Sequence, residues 1–413
     1  LKTIALIDYH QTGHHLTYQE IFGKSFLELG YRLVVFSAAS KEVQQWLVDH
    51  CSSYKQHFHV FAMHQSGRAI RSMIGEKLPN PLVVLERWLY AAAMIRKASI
   101  EIGHSPDLVF FNCLDSYFSR FLNSHLINGI FPYKWAGLYL QAELELLKQN
   151  SSRRNRLHAW EIAQSSQCHA VGFLDRETSK KFQSKINNPV ITFPDIADET
   201  VPEFDYEAVK QIQEKADGRT IVGLVGTLNK RKGLLTLLKA AQQCNGFYFV
   251  FAGQLVENSF SAEELLTIKN LQANLDNCFF HFERIPDESQ FNAMINVCDI
   301  MFAAYENFPN SSNILTKAAI FKKPTIVSRG FCMDQRVNQF NLGLAIPEGD
   351  VAECLRALQH LEHELNADDF SSKFGFEEYR QLNSLQKLKE TLLEIVENKK
   401  IDRPDQEMTT VFN

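Results

Sequence analysis

The feature that most constrains this chain is a rhythm of short apolar runs alternating with helix-patterned stretches, interrupted once and then begun again. "TIALIDY" (3–9) reads as a strand buried on both faces. The polar loop "HQTGHH", the helix pattern "LTYQEIFGKSFLELG" and the strand "RLVVFSA" follow. Strand, helix and strand in that order require a parallel sheet with a right-handed crossover. "DLVFFNC" (107–113), "WAGLYL" (135–140), "CHAVGFL" (168–174) and "PVITF" (189–193) continue the series. The helices between them include "ERWLYAAAMIRKASIEIG" and the basic "SSRRNRLHAWEIAQSS". "PDIADETVPEFDYE" (194–207) mixes prolines and acids without a period and reads as a linker.

The pattern then restarts. "TIVGLVG" (220–226) and "FYFVFAG" (247–253) read as strands, with the helix "KGLLTLLKAAQQC" between them. "CFFHFERI", "CDIMFAAY", "PTIVS" and "LGLAIP" are further strands. "SLQKLKETLLEIVENKK" (384–400) is a last helix with no strand after it, followed by a loose tail. A chain of 413 residues suits two domains of this kind. The expected fold class is α/β, with two Rossmann-like doubly wound domains facing a cleft. Expected boundaries are 1–195, 196–375 and a terminal helix and tail over 376–413. In such sheets ligands sit beyond the carboxyl ends of the strands.

Charge narrows the partners. A net charge of −5 argues against nucleic acid, whose phosphates need a basic face. Residues 1–190 nevertheless hold 21 of the 43 Lys and Arg, against 15 of the 48 Asp and Glu. A basic first half suits an anionic acceptor or a peripheral membrane contact; a solvated face with no partner is the plainer alternative. The eight cysteines form no Cys-x-x-Cys pair, which suggests a reducing, cytoplasmic setting. "LKTIALIDYH" starts almost at once with a strand, so no leader is expected. The apolar "WLYAAAMI" (88–95) is far shorter than a span of about 20 residues.

The strand-end loops exclude several chemistries. No Gly-x-Gly-x-x-Gly follows the first strand of either half, and no Gly-x4-Gly-Lys-Ser/Thr is present. No Asp-x-Asp ends a strand and no close His/Cys/acid cluster is visible, so no metal is expected. What remains is "GTLNKRKG" (226–233), which places Lys230, Arg231 and Lys232 at a helix start. "NSSN" (310–313) opens another candidate helix. Helix starts offer free N–H groups, and cationic side chains add charge-assisted hydrogen bonds, a combination suited to a diphosphate.

At this point the sequence resembles a family. "GTLNKRKGLLTLLKA", "FVFAG", "CDIMFAA", "ENFPNSSNILTKAAIFKKPTIVS" and "GLAIPEGD" follow the order and spacing of the donor half of GT-B glycosyltransferases. They look most like the retaining group called glycosyltransferase family 4. "TGHHLTYQEIFGKSFLELGYRLVVFS" resembles that family's opening loop and helix less specifically. The likeness covers residues 3–365 in outline and is strong over 220–350. It implies a UDP- or GDP-linked sugar as co-substrate in the second half and an acceptor in the first. It also implies metal-independent transfer with retained configuration and no further cofactor. The acceptor class stays open between a saccharide, a lipid-linked group and a small molecule.

Carried over by position, Lys232 holds the donor diphosphate and Arg231 adds charge. Gly226 and Thr227 line the donor loop, and Ser311, Ser312 and Asn313 wrap the phosphates. Gly13 and His14 lie near the transferred sugar. Glu306 is expected to bond sugar hydroxyls, and His15 and Asp115 to meet the acceptor. Two positions depart from the family. Thr227 stands where it usually has arginine, and Lys317 falls where its second glutamate bonds the donor ribose, although an ammonium accepts no hydrogen bond. Both departures fit a rival reading, a non-catalytic GT-B-like protein that binds a nucleotide sugar or a partner.

Overall fold

The structure, a computed structural model, describes residues 1–10, 14–64, 80–142, 158–367 and 370–398. Two compact units emerge, one of residues 1–194 with 385–413 and one of residues 195–384.

The first unit is built on a seven-stranded sheet: β1 Thr3–Asp8, β2 Arg32–Ser37, β3 Phe58–Ala62, β4 Leu108–Phe111, β5 Trp135–Leu138, β6 Cys168–Phe173 and β7 Val190–Thr192. Its order is β3-β2-β1-β4-β5-β6-β7, and every pairing is parallel. All six residues of β1 are buried, as a central strand covered on both faces demands. The strand order reverses between β1 and β4, where Ile7 stands beside Phe111. Side chains just past those two ends therefore meet at the usual ligand position of a doubly wound sheet.

The second unit repeats the plan with β8 Thr220–Val225, β9 Phe247–Ala252, β10 Cys278–His281, β11 Ile300–Ala303, β12 Thr325–Ser328 and β13 Gly343–Ile346. The order is β10-β9-β8-β11-β12-β13, again all parallel. Here the reversal falls between β8 and β11, bringing the loop after Val225 and the loop after Ala303 to one edge. The expected class, two Rossmann-like α/β domains, is what the chain forms.

Three features differ from the sequence reading. β3 was not expected; it is an edge strand, only partly buried, and its short "FHVFA" run carries a weak apolar signal. The stretch 194–207 is not a loose connection. Asp195 is buried, its N–H donates to the Asn383 side chain (2.8 Å), and the Asp198 and Thr200 carbonyls accept from Asn292. The last helix, Leu385–Glu397, lies with the first unit instead of standing as a separate element. Lys2 and His169 donate to the carbonyls of Val396 (3.1 Å) and Ile395 (3.0 Å), and Tyr31 donates to Glu397 (3.0 Å). The first residues of the expected basic helix, 151–157, lie outside the described residues, as does the tail. Among the described residues no helix is long and apolar enough to cross a membrane.

The first core is centred on Trp88, fully buried with its ring edge-on to Phe111 (5.2 Å), Phe131 (5.0 Å) and Trp135 (5.4 Å). Its indole N–H donates to the Tyr117 carbonyl at 2.8 Å. Trp88→Ala is expected to lower stability by about 3–5 kcal/mol, read from denaturant unfolding.

Candidate active site

In the second unit the basic loop is shaped by glycines. Gly253 follows β9 at φ 130°, where a Cβ would lie 2.1 Å from the Gly226 carbonyl oxygen. A single tight turn, Lys230–Lys232, comes next, and Gly233 at φ 73° ends it and starts the helix Leu234–Gln243. A Cβ on Gly233 would meet the Ala304 carbonyl oxygen at 2.5 Å, so only glycine lets the turn settle against the end of β11. This contact places the three cations. Lys230 is exposed and paired with Glu264 at 2.6 Å. The Arg231 guanidinium lies over the Phe308 ring, 4.2 Å from its centre. Lys232 donates to the Tyr305 hydroxyl at 2.6 Å.

Glu306 belongs to the same cluster, because its N–H donates to the Arg231 carbonyl at 2.8 Å. Burial, reinforced by nearby Glu348, pushes the Glu306 carboxyl above its ordinary range. Glu348 in turn accepts the Asn307 N–H at 2.9 Å. Tyr305 was missed by sequence reasoning; it reads as the apolar end of a strand, and only the tertiary fold sets its hydroxyl against Lys232. Thr227 is exposed just beyond Gly226.

"NSSN" divides into two roles. Ser312 and Asn313 are half-buried at the start of the helix Ile314–Ile320. Ser311 commits its hydroxyl to the Asp195 carboxylate and to Arg336. Arg336 also donates to Asp195 (2.9 Å) and to the Tyr379 hydroxyl (3.0 Å), both buried. Ser311 thus helps satisfy a buried ion pair.

Lys317 is 4 % exposed. Its ammonium donates to Glu288 (2.7 Å), to the Asn292 side-chain oxygen (2.6 Å) and to the Asp198 carbonyl (3.4 Å). Three N–H groups meet three acceptors, so the charge is satisfied within the unit. The lysine ties its helix to the helix Glu288–Asn296 and to the 195–200 segment.

The first unit carries a second cluster at its strand reversal. Gly13 lies outside the described residues, and so does the side chain of His14, the first residue of the helix His14–Glu28. His15 Nδ1 is 3.0 Å from Asp8 Oδ2, and His10 Nδ1 is 2.9 Å from Asp8 Oδ1. Burial disfavours the Asp8 carboxylate, yet the hydrogen bonds from His10 and His15 outweigh it and hold the group below its ordinary pKa. Asp115 accepts the N–H groups of Leu140 (2.9 Å) and Gln141 (2.7 Å) and the Cys113 S–H (3.4 Å). Burial raises its pKa, and those bonds oppose the shift. A His/Cys cluster that the sequence does not show is brought together here. Ligand atoms of His10, His15 and Cys113 lie within 4.8 Å of one another, joined by the pairing of β1 with β4 across about a hundred residues.

Comparison with known proteins agrees with this geometry. Residues 205–373 match the model of glycosyl transferases group 1. That span covers less than half of the chain and contains the basic loop, Tyr305, Glu306 and "NSSN". The match supports the expected enzyme class, a glycosyltransferase. Among solved structures, sucrose-phosphate synthase from Thermosynechococcus elongatus is similar at 15% identity and a TM-score of 0.68, covering 96% of this chain and 99% of its own. Anabaena HepE in complex with UDP-glucose is similar at 14% identity and a TM-score of 0.66, covering 96% and 100%. A glycosyltransferase from Rickettsia africae gives 16%, 0.63, 96% and 98%. These likenesses show the GT-B fold. No curated protein sequence matches the chain.

Lys317→Ala removes the donor from Asn292, which is fully buried, and from Glu288, whose side chain is 38% exposed. Because Glu288 still reaches water, the expected loss of stability is about 1–3 kcal/mol, less than for a fully enclosed pair. Chemical denaturation of the variant checks this expectation.

Proposed function

We propose that the chain is a retaining glycosyltransferase that moves a sugar from a nucleoside-diphosphate sugar to an acceptor held by the first unit. The observation that carries this is the joining of Arg231, Lys232, Tyr305 and Glu306 at the β8/β11 reversal. Transfer breaks the bond between the sugar's anomeric carbon and the diphosphate oxygen and forms one to an acceptor hydroxyl oxygen. The acceptor oxygen attacks from the face that the diphosphate leaves, so the sugar's configuration is retained, and the departing phosphate takes the acceptor's proton, so no strong protein base is needed. Negative charge grows on the diphosphate as it leaves. Lys232 and Arg231 are placed to stabilise it, and preorganised charge of this kind is usually the largest catalytic contribution. With two cations in place, the leaving group is neutralised without a metal at the phosphates.

Ser312 and Asn313 wrap the phosphates in this reading, while Ser311 serves through the Asp195–Arg336 pair. Glu306 bonds sugar hydroxyls. UDP-glucose is the first donor to test, because the HepE structure contains it. The basic excess of the first half suits an anionic saccharide or a lipid-linked acceptor, and with it a peripheral membrane contact. A second reading, binding without transfer, is favoured by Lys317, whose ammonium offers a ribose no acceptor and whose N–H groups are taken up by internal bonds.

Release of free nucleoside diphosphate from a panel of sugar donors decides between the readings; binding without release across all donors and acceptor extracts supports the second. Lys232→Ala is expected to lower kcat/KM by about 100- to 1,000-fold. Glu306→Gln is expected to weaken turnover, and full activity in that variant refutes its role. The variant's stability has a predictable sign. A carboxyl whose folded pKa is raised destabilises the fold as pH rises through that value, so above it Glu306→Gln is at least as stable as the parent chain.

A further inference from the structure

Two aromatic rings of the loop after β11 each lie against one cation of the loop after β8. The Lys232 ammonium donates to the Tyr305 hydroxyl at 2.6 Å and lies 4.0 Å from the centre of that ring. The Arg231 guanidinium lies 4.2 Å from the centre of the Phe308 ring. The two rings form one platform, with centres 5.5 Å apart and planes 59° apart. Among the described residues these are the only side-chain hydrogen bond, ion pair or ring contact that either cation makes.

The turn that presents the rings is itself held. Asn307, between Glu306 and Phe308, has a left-handed φ of 49°, a conformation asparagine adopts more readily than most residues. Its N–H donates to Glu348 at 2.9 Å, and the Glu306 N–H donates to the Arg231 carbonyl at 2.8 Å. One of these backbone ties thus runs to the basic loop directly. Tyr305 is only 2% exposed, so the surrounding core fixes its ring.

A lysine and an arginine at a rim sample many rotamers, and an anion that binds them must order both. We propose that Tyr305 and Phe308 are positioning residues that hold Lys232 and Arg231 in place before a diphosphate arrives. This role rests on the reading of the second unit as a nucleotide-sugar site. The contacts leave the cations usable: Lys232 keeps two of its three N–H groups for the anion, and Arg231, held by a ring face, keeps all five. A diphosphate then meets charges already ordered, so less lost freedom opposes its binding.

The test uses the full chain, titrated calorimetrically with UDP and with GDP, neither of which requires an acceptor. Tyr305→Phe keeps the ring, removes the hydroxyl and is expected to weaken binding by about 3- to 10-fold. Phe308→Leu keeps apolar bulk, removes the ring face and is expected to cost about 2- to 5-fold. Coupling within each pair is the readout that a merely structural role does not move. Tyr305→Phe is expected to have no further effect once Lys232 is replaced by alanine, nor Phe308→Leu once Arg231 is. A second measurement needs no nucleotide. Acetylation of Lys232 by limiting acetic anhydride, followed by mass spectrometry, is expected to quicken several-fold in Tyr305→Phe, while that of the exposed Lys239 stays the same. Circular dichroism checks that each variant is folded. Failure of the parent chain to bind either diphosphate overturns the nucleotide-sugar reading and the positioning role with it. Binding by the parent that neither aromatic substitution weakens overturns the positioning role alone. So does a Tyr305→Phe loss that persists in full without Lys232, or acetylation of Lys232 indifferent to the hydroxyl.

Discussion

A parallel sheet must be covered on both faces, and this constraint governs the whole molecule. Crossover helices cover both sheets, so side chains within the strands are committed to the cores: all of β1, β4, β9 and β11 is buried. Chemistry is left to the loops at the carboxyl ends, and among these to the points where strand order reverses. Both units obey. The second unit gathers Arg231, Lys232, Tyr305 and Glu306 at β8/β11, and the first gathers Asp8, His10, His15, Cys113 and Asp115 at β1/β4.

The second unit separates working cations from structural ones by burial. Lys232 and Arg231 sit at the rim, partly held by aromatic rings and able to meet an anion from outside. Lys317 and Arg336 are buried, and each is surrounded by oxygen acceptors from distant parts of the chain. Both draw the 195–200 segment against the core, Arg336 through Asp195 and Lys317 through Asp198. A stretch that looks like a connector from its prolines and acids is therefore held by two buried charges. This explains the lysine in the body of an apolar helix: it meets the Asp198 carbonyl that the segment brings and the Asn292 and Glu288 side-chain oxygens of the neighbouring helix.

Much of the fold was legible because buried parallel strands announce themselves as unbroken apolar runs. "TIALID" and "FYFVFA" needed no partner to be read. β3 failed the same test, since an edge strand with exposed residues carries little apolar signal. The basic loop was legible through its glycine spacing, which encodes a local turn. Ser311 and Ser312 were indistinguishable in sequence, yet one is bound to Asp195 and Arg336 and the other stands at a helix start. The His/Cys cluster was invisible because its members come from the loop after β1, the helix that follows it and the loop after β4.

Taken alone, the sequence determined the local quantities: which runs become strands, where the chain turns, that the pattern occurs twice, and which loop carries the cations. Each depends on neighbours within a few residues, so periodicity and turn chemistry suffice to read it. Tertiary structure alone decided the pairings: Tyr305 with Lys232, Asp195 with Arg336, Lys317 with Glu288, and one aspartate with two histidines beside a cysteine. These are contacts between side chains far apart along the chain, and their distances are set by strand order and register, which no local pattern encodes.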